Sequence, residues 1–191
     1  SRSRRQRQMC IRDRCKRYLW LRRKLQCVMS PLNLTYFEIF DVEINISIDL
    51  NDLDSKYLKL QSKFHPDKFI NASSIEKSMA VRISTHINDG YKTLKDLVSR
   101  VDYILKINNF TIEENKTFKN SRFLVEQMEL TEIIKDSEKS KYDAIRMDIK
   151  NKISLLIIEM KNNLFNKDFD ILHQNNSMIK FYKKNINQLS M

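Results

Sequence analysis

One glycine and two prolines stand among 191 residues. A multi-strand sheet needs many tight-turn residues of those two kinds. The shortage argues against a sheet protein and favours an all-α chain with Asn, Asp, Ser and Lys in its connections. No apolar run approaches the ~20 residues that a membrane-crossing helix needs. Three cysteines are present, Cys10, Cys15 and Cys27, all in the first 28 residues. Thiols at that spacing do not complete a four-ligand zinc site, and the rest of the chain has no thiol for a disulfide. His65, His86 and His173 are scattered and form no metal-spaced pair.

Apolar residues make up 41% of the chain, enough for a core, and charged residues 31%. The net charge is +11, but its location argues against a nucleic-acid binder. Residues 1–28 hold eleven Lys or Arg and one acid, Asp13, a net of +10. Residues 29–191 hold 24 basic and 23 acidic residues, a net of +1. The basic residues are mostly Arg before Met29 and mostly Lys after it. Three readings of the basic leader stay open: translated adaptor sequence with Met29 as the true start, an Arg-rich mitochondrial transit peptide, or a basic arm for nucleic acid. If the arm bound nucleic acid, deleting 1–28 would abolish the binding.

Along the chain, "LTYFEIF" (34–40) reads as one to two helical turns. "VEINISI" (42–48) alternates like a strand, but a lone strand has no partner here, so it reads as an extended connector. Leu53, Tyr57, Leu60 and Phe64 recur on one helical face, and that helix must stop at Phe64. Pro66 disfavours helical geometry at His65 and has no N–H of its own. Ser73 with Glu76 forms a capping box that starts the next helix. Its stripe is Ile83, Ile87, Tyr91 and Leu94, with Gly90 inside at a cost of about 1 kcal/mol relative to Ala. A shorter helix follows near Leu97–Ile107, and the polar run 108–121 is a connector. Three more helices follow. Their stripes are Phe123, Gln127, Leu130 and Ile134; then Tyr142 to Met160; then Ile179, Tyr182, Ile186 and Leu189. That is a three-helix bundle.

"HPDKF" thus lies at the tip of an antiparallel helical hairpin, facing solvent. His-Pro-Asp on its own could be a metal pair, an acid/base pair, a docking loop or a bare helix terminator. A metal-dependent hydrolase using His65, Asp67 and His86 is one rival reading, and metal content of the purified protein decides it. A hairpin tip is convex, which suits docking better than catalysis.

The stretch "YFEIF … KYLKLQSKFHPDKF … INDGYKTLKDLVSRVDYIL" resembles a J domain, and specifically that of the HscB co-chaperone family; "FLVEQMELTE" resembles the start of that family's C-terminal bundle. The resemblance covers about 34–189. It implies a J domain over 34–107, a connector over 108–121 and a scaffold-binding bundle over 122–191, after a leader over 1–28. It implies a protein that is not an enzyme and needs no cofactor. His65, Pro66 and Asp67, with Lys56, Lys59 and Lys63 on the preceding helix, match the surface that docks on a DnaK-type ATPase chaperone, HscA-like, and stimulates it. Tyr57 matches an aromatic at the same offset. Leu124, Val125, Met128, Glu129, Glu132 and Phe181 match the positions that hold the iron–sulfur scaffold protein IscU. Val125 and Met128 replace other apolar side chains of the family pattern, and the last helix is short. The resemblance implies a monomer that binds neither nucleic acid nor membrane. Its setting is the bacterial cytoplasm, or the mitochondrial matrix if the leader is a transit peptide. A general J-domain protein serving another client is the alternative within the same class.

Overall fold

The computed structural model describes residues 30–110 and 121–189. The leader 1–28 and most of the connector 108–121 lie outside the described residues, so the readings made for them are not addressed. The fold class is all-α, as the glycine and proline shortage predicts. Seven α-helices are described: α1 (Tyr36–Ile39), α2 (Leu50–Phe64), α3 (Ser74–Lys95), α4 (Leu97–Ile107), α5 (Ser121–Asp136), α6 (Tyr142–Asn166) and α7 (Phe169–Gln188). Short 3-10 turns at Ser30–Asn33, Pro66–Phe69 and Lys139–Lys141 complete them. The alternating stretch 42–48 forms no strand.

Two compact units divide the described residues, one of 30–43 with 49–92, the other of 44–48 with 93–189. In the first unit, helix starts are fixed by side-chain caps. Thr35 and Glu38 cap α1 reciprocally, with Thr35 N donating to Glu38 Oε2 at 2.7 Å and Glu38 N to Thr35 Oγ1 at 3.3 Å. Asp49 caps α2 by accepting from Asn51 N at 2.9 Å. The Ser73–Glu76 capping box is present, with bonds of 3.0 and 3.3 Å. Phe37, Phe40, Leu53, Phe64, Ile83 and Ile87 are buried and form the apolar interior.

Helices α2 and α3 run antiparallel. Tyr57 Oη donates to Asn88 Oδ1 at 3.0 Å, and Tyr91 Oη to Asp54 Oδ1 at 2.8 Å. The two tyrosine rings stack at 4.0 Å between centroids. Pairing 54 with 91 and 57 with 88 leaves the turn near residues 65–73. Gly90 is explained by its neighbours: a Cβ there would lie 2.8 Å from Tyr36 Cδ1 and 3.1 Å from Phe40 Cε2. The missing side chain is the space that α1 occupies.

In the second unit, α5, α6 and α7 bury Phe123, Leu130, Ile134, Ile149, Tyr182 and Leu189 in one cluster. Lys167 takes the left-handed conformation (φ 62°) that ends α6 and turns the chain into α7. Glu126 links all three helices, accepting from Lys152 Nζ at 2.6 Å and from Tyr182 Oη at 3.0 Å. Helix α4 packs on α7 in this unit. Asn176 is fully buried, and its Nδ2 donates to Asp102 Oδ1 at 2.8 Å. Lys180 Nζ lies 3.0 Å from Asp102 Oδ2. Arg100, 4% exposed, donates to the carbonyls of Leu94, Lys95 and Ile46. Its guanidinium caps the end of α3 and holds the 44–48 connector.

Candidate functional site

The tip of the α2–α3 hairpin is built by the backbone. His65 is extended (φ −60°, ψ 130°), so α2 cannot run through it, and Pro66 opens a single 3-10 turn. Asp67 N donates to His65 Nδ1 at 3.3 Å. Nδ1 also lies 3.5 Å from Asp67 Oδ2. The imidazole thus serves as a local cap, while His65 and Asp67 both stay exposed. Proline fixes the backbone between them, so the pair is presented with little conformational freedom to lose on docking.

The three lysines of α2 do not behave alike. Lys59 and Lys63 are exposed, with Lys63 Nζ 5.3 Å above the Phe64 ring. Lys56 is tied down: Nζ donates to the Asp41 carbonyl at 2.7 Å and lies 2.8 Å from Asp52 Oδ2. Sequence reasoning missed the Asp54–Tyr91 and Tyr57–Asn88 bonds that hold α2 against α3 behind the tip. The His86 ring lies 5.1 Å from the Tyr36 ring, tilted by 53°. Among the described residues, no group of three or more His, Cys, Asp or Glu could hold a metal ion. Nor is any helix among them long and apolar enough to cross a membrane.

On α5, Leu124, Val125 and Met128 are exposed, and Glu129 and Glu132 are exposed beside them. At 100° per residue they lie on the side of the helix away from Phe123, Leu130 and Ile134. Phe181 differs from the rest of this group. It is half-buried, and its ring meets Phe123 edge-on at 5.8 Å and Tyr182 at 5.9 Å. The helical spacing set it beside the core line; it packs against the core itself.

Residues 119–190 match the family model of the HSCB C-terminal oligomerisation domain. The chain is similar to a co-chaperone protein HscB homolog of Neisseria meningitidis, 32% identical over 161 residues, 81% of this chain and 96% of that protein. A homolog from Colwellia psychrerythraea is 36% identical over 129 residues, 66% of this chain and 74% of that protein. Among solved structures, chaperone HscB from Vibrio cholerae matches with a TM-score of 0.73 at 30% identity, covering 82% of this chain and 96% of that one. Human co-chaperone protein HscB matches with a TM-score of 0.77 at 26% identity, covering 83% and 81%. The family model spans the three-helix bundle, the relatives cover four fifths of the length, and the chain belongs to the HscB co-chaperone family.

Proposed function

We propose that this protein is a J-type co-chaperone of iron–sulfur cluster assembly, which stimulates a DnaK-type ATPase chaperone, HscA-like, and delivers the scaffold protein IscU to it. The observation that carries the reading is the His65-Pro66-Asp67 tip, with His65 and Asp67 exposed, on an antiparallel helical hairpin in an HscB-family chain. Asp67 supplies the acid that meets a cation on the ATPase. Lys59 and Lys63 supply a basic face beside it, and Lys56 adds to that face only by exchanging its bonds to Asp41 and Asp52. The J domain is assigned to 34–107 and the scaffold-binding bundle to 122–191. Leu124, Val125 and Met128, rimmed by Glu129 and Glu132, fit an apolar interface centre with a polar rim; Phe181 completes the set. The reaction is the chaperone's ATP hydrolysis. This chain contributes binding energy and is no enzyme in this reading. The bacterial relatives fit a cytoplasmic setting.

The test is single-turnover ATP hydrolysis by an HscA-like chaperone with wild-type protein and with Asp67→Asn. Removing one partner of a buried interfacial charge pair costs ~2–5 kcal/mol, at least a ~30-fold loss of affinity. The mutant should melt like wild type and stimulate only at far higher concentration. Equal stimulation by the mutant would overturn the assignment.

A further inference from the structure

Between the C-terminal end of α4 and the middle of α7 lies a recess of about 470 Å³. None of its lining residues belongs to the hairpin tip or to the α5 patch. The chain builds it where α4 stops. Asn109 takes the left-handed conformation (φ 56°), and Phe110 N donates to the Leu105 carbonyl at 3.0 Å. That turn brings Phe110 to α7, where its ring lies 5.9 Å from the His173 ring and 6.4 Å from the Phe169 ring. Buried Leu105 and half-buried Phe110 and His173 line the recess, together with Asp102, Lys106 and Lys180. Two lysines against one aspartate leave a net charge of +1 there. Asp102 is already engaged: Oδ1 accepts from Asn176 Nδ2 at 2.8 Å, and Oδ2 lies 3.0 Å from Lys180 Nζ. Lys106, exposed on the last turn of α4, has no acidic partner among the described residues. His173 has a solvent-shielded Nδ1 that makes no hydrogen bond, and such atoms are few in native proteins. Burial and the Lys180 charge lower the His173 pKa, outweighing Asp102 and Asp170, so the imidazole is uncharged at neutral pH.

We propose that this recess binds a small aromatic carboxylate, with the ring against Phe110 and His173 and the carboxylate at Lys106. The volume falls in the range of roughly 300–1,000 Å³ of small-molecule sites, whose walls are apolar and aromatic with a few polar groups. The lining selects among ligands. A cation would meet two lysines. A saturated acid would forgo the ring contacts, which favour offset and edge-on aromatic neighbours at centroid spacings of ~4.5–7 Å. An uncharged aromatic would leave Lys106 unpaired. A doubly charged anion would bring its second charge towards Asp102. The uncharged imidazole meets an aromatic ring without desolvating a charge. The assignment is independent of the chaperone-docking and scaffold-binding assignments, since it shares no residue with either.

Naphthoate is the probe, with naphthamide as its uncharged and cyclohexanecarboxylate as its non-aromatic counterpart. At the ordinary efficiency of small ligands, a molecule of this size binds with a Kd of about 1 mM, so a titration to roughly 10 mM spans it. Amide chemical shifts of the full chain, followed by NMR, report where it binds. Signals of residues 105–110 and 169–180 should shift and saturate with naphthoate, while those of 124–132 stay in place. Both counterparts should bind several-fold more weakly. Lys106→Met should weaken naphthoate several-fold, the modest worth of one exposed charge contact, and leave naphthamide binding and the thermal melt unchanged. Phe110→Leu should weaken both aromatic probes. Shifts that do not saturate, or that saturate only elsewhere in the chain, overturn the proposal. Equal binding of naphthoate and naphthamide, or no effect of Lys106→Met, overturns the carboxylate assignment. No effect of Phe110→Leu overturns the placement of the ring.

Discussion

Lys183 Nζ lies 2.6 Å from Asp96 Oδ1, while the other oxygen of the same carboxylate accepts from Ser99 N at 2.9 Å. One side chain therefore caps α4 and fastens that helix to α7. The two functions separate by mutation. Asp96→Ala removes the cap, worth ~1 kcal/mol, together with the ion pair. Lys183→Met removes only the pair, which is 39% and 45% exposed at its two ends and so contributes at most ~1 kcal/mol. Urea denaturation should rank Asp96→Ala as the more destabilised. Equal loss in the two variants would mean that the pair, not the cap, holds α4.

The same carboxylate makes stability depend on acid. Burial alone would raise the Asp96 pKa, but the Lys183 and Ser99 hydrogen bonds and the Lys183 charge outweigh it and hold it below the ordinary range. Glu126 is held low chiefly by its bond from Lys152, against burial and with help from Tyr182. Both groups titrate near the ordinary value of ~4 when unfolded and lower when folded. The unfolded chain therefore binds more protons in that window, and stability rises with pH across it. The contribution is fully present above the ordinary value and is lost as pH falls through the folded values. Denaturant midpoints measured from pH 6 to pH 3 should fall, and Glu126→Gln should flatten part of that fall. A parallel curve for the mutant would remove Glu126 as a cause.

Gly90→Ala sets two effects against each other. Helix propensity favours Ala by about 1 kcal/mol. The added Cβ would stand 2.8 Å from the Tyr36 ring and 3.1 Å from the buried Phe40 ring, and overpacking of that kind costs ~1–3 kcal/mol. The clash should win, lowering the thermal midpoint. A raised midpoint would show that α1 yields without loss.

What the sequence conveyed was local. The stop at Phe64, the Ser73–Glu76 box and the Leu97–Ile107 helix follow from Pro66, from capping chemistry and from apolar spacing within one element. What it hid depends on neighbours far away in the chain. Gly90 reads as a defect until Tyr36 and Phe40 are seen against it. Arg100 reads as a surface cation, yet it is buried under three carbonyls, one of them 54 residues away. Lys56 falls in line with Lys59 and Lys63 by periodicity, and only the position of the Asp41 carbonyl removes it from their company.

Phe181 offers the sharpest separation between packing and recognition. Leu124 and Met128 are exposed, and truncating a surface side chain usually changes stability by less than ~0.5 kcal/mol. The Phe181 ring, half-buried and edge-on to Phe123, should lose ~1–3 kcal/mol as Ala, less than the ~3–5 kcal/mol of a fully buried Phe. Under the proposed function all three should also lose ~1–2 kcal/mol of affinity for the scaffold. Leu124→Ala and Met128→Ala would then weaken calorimetric titration with IscU while leaving the melt in place, whereas Phe181→Ala would move both. Phe181→Leu separates the two effects for that residue, since it keeps apolar volume in the bundle but loses the aromatic contact. If Leu124→Ala and Met128→Ala both titrate like wild type, the α5 patch is not the scaffold surface, whatever Phe181 does.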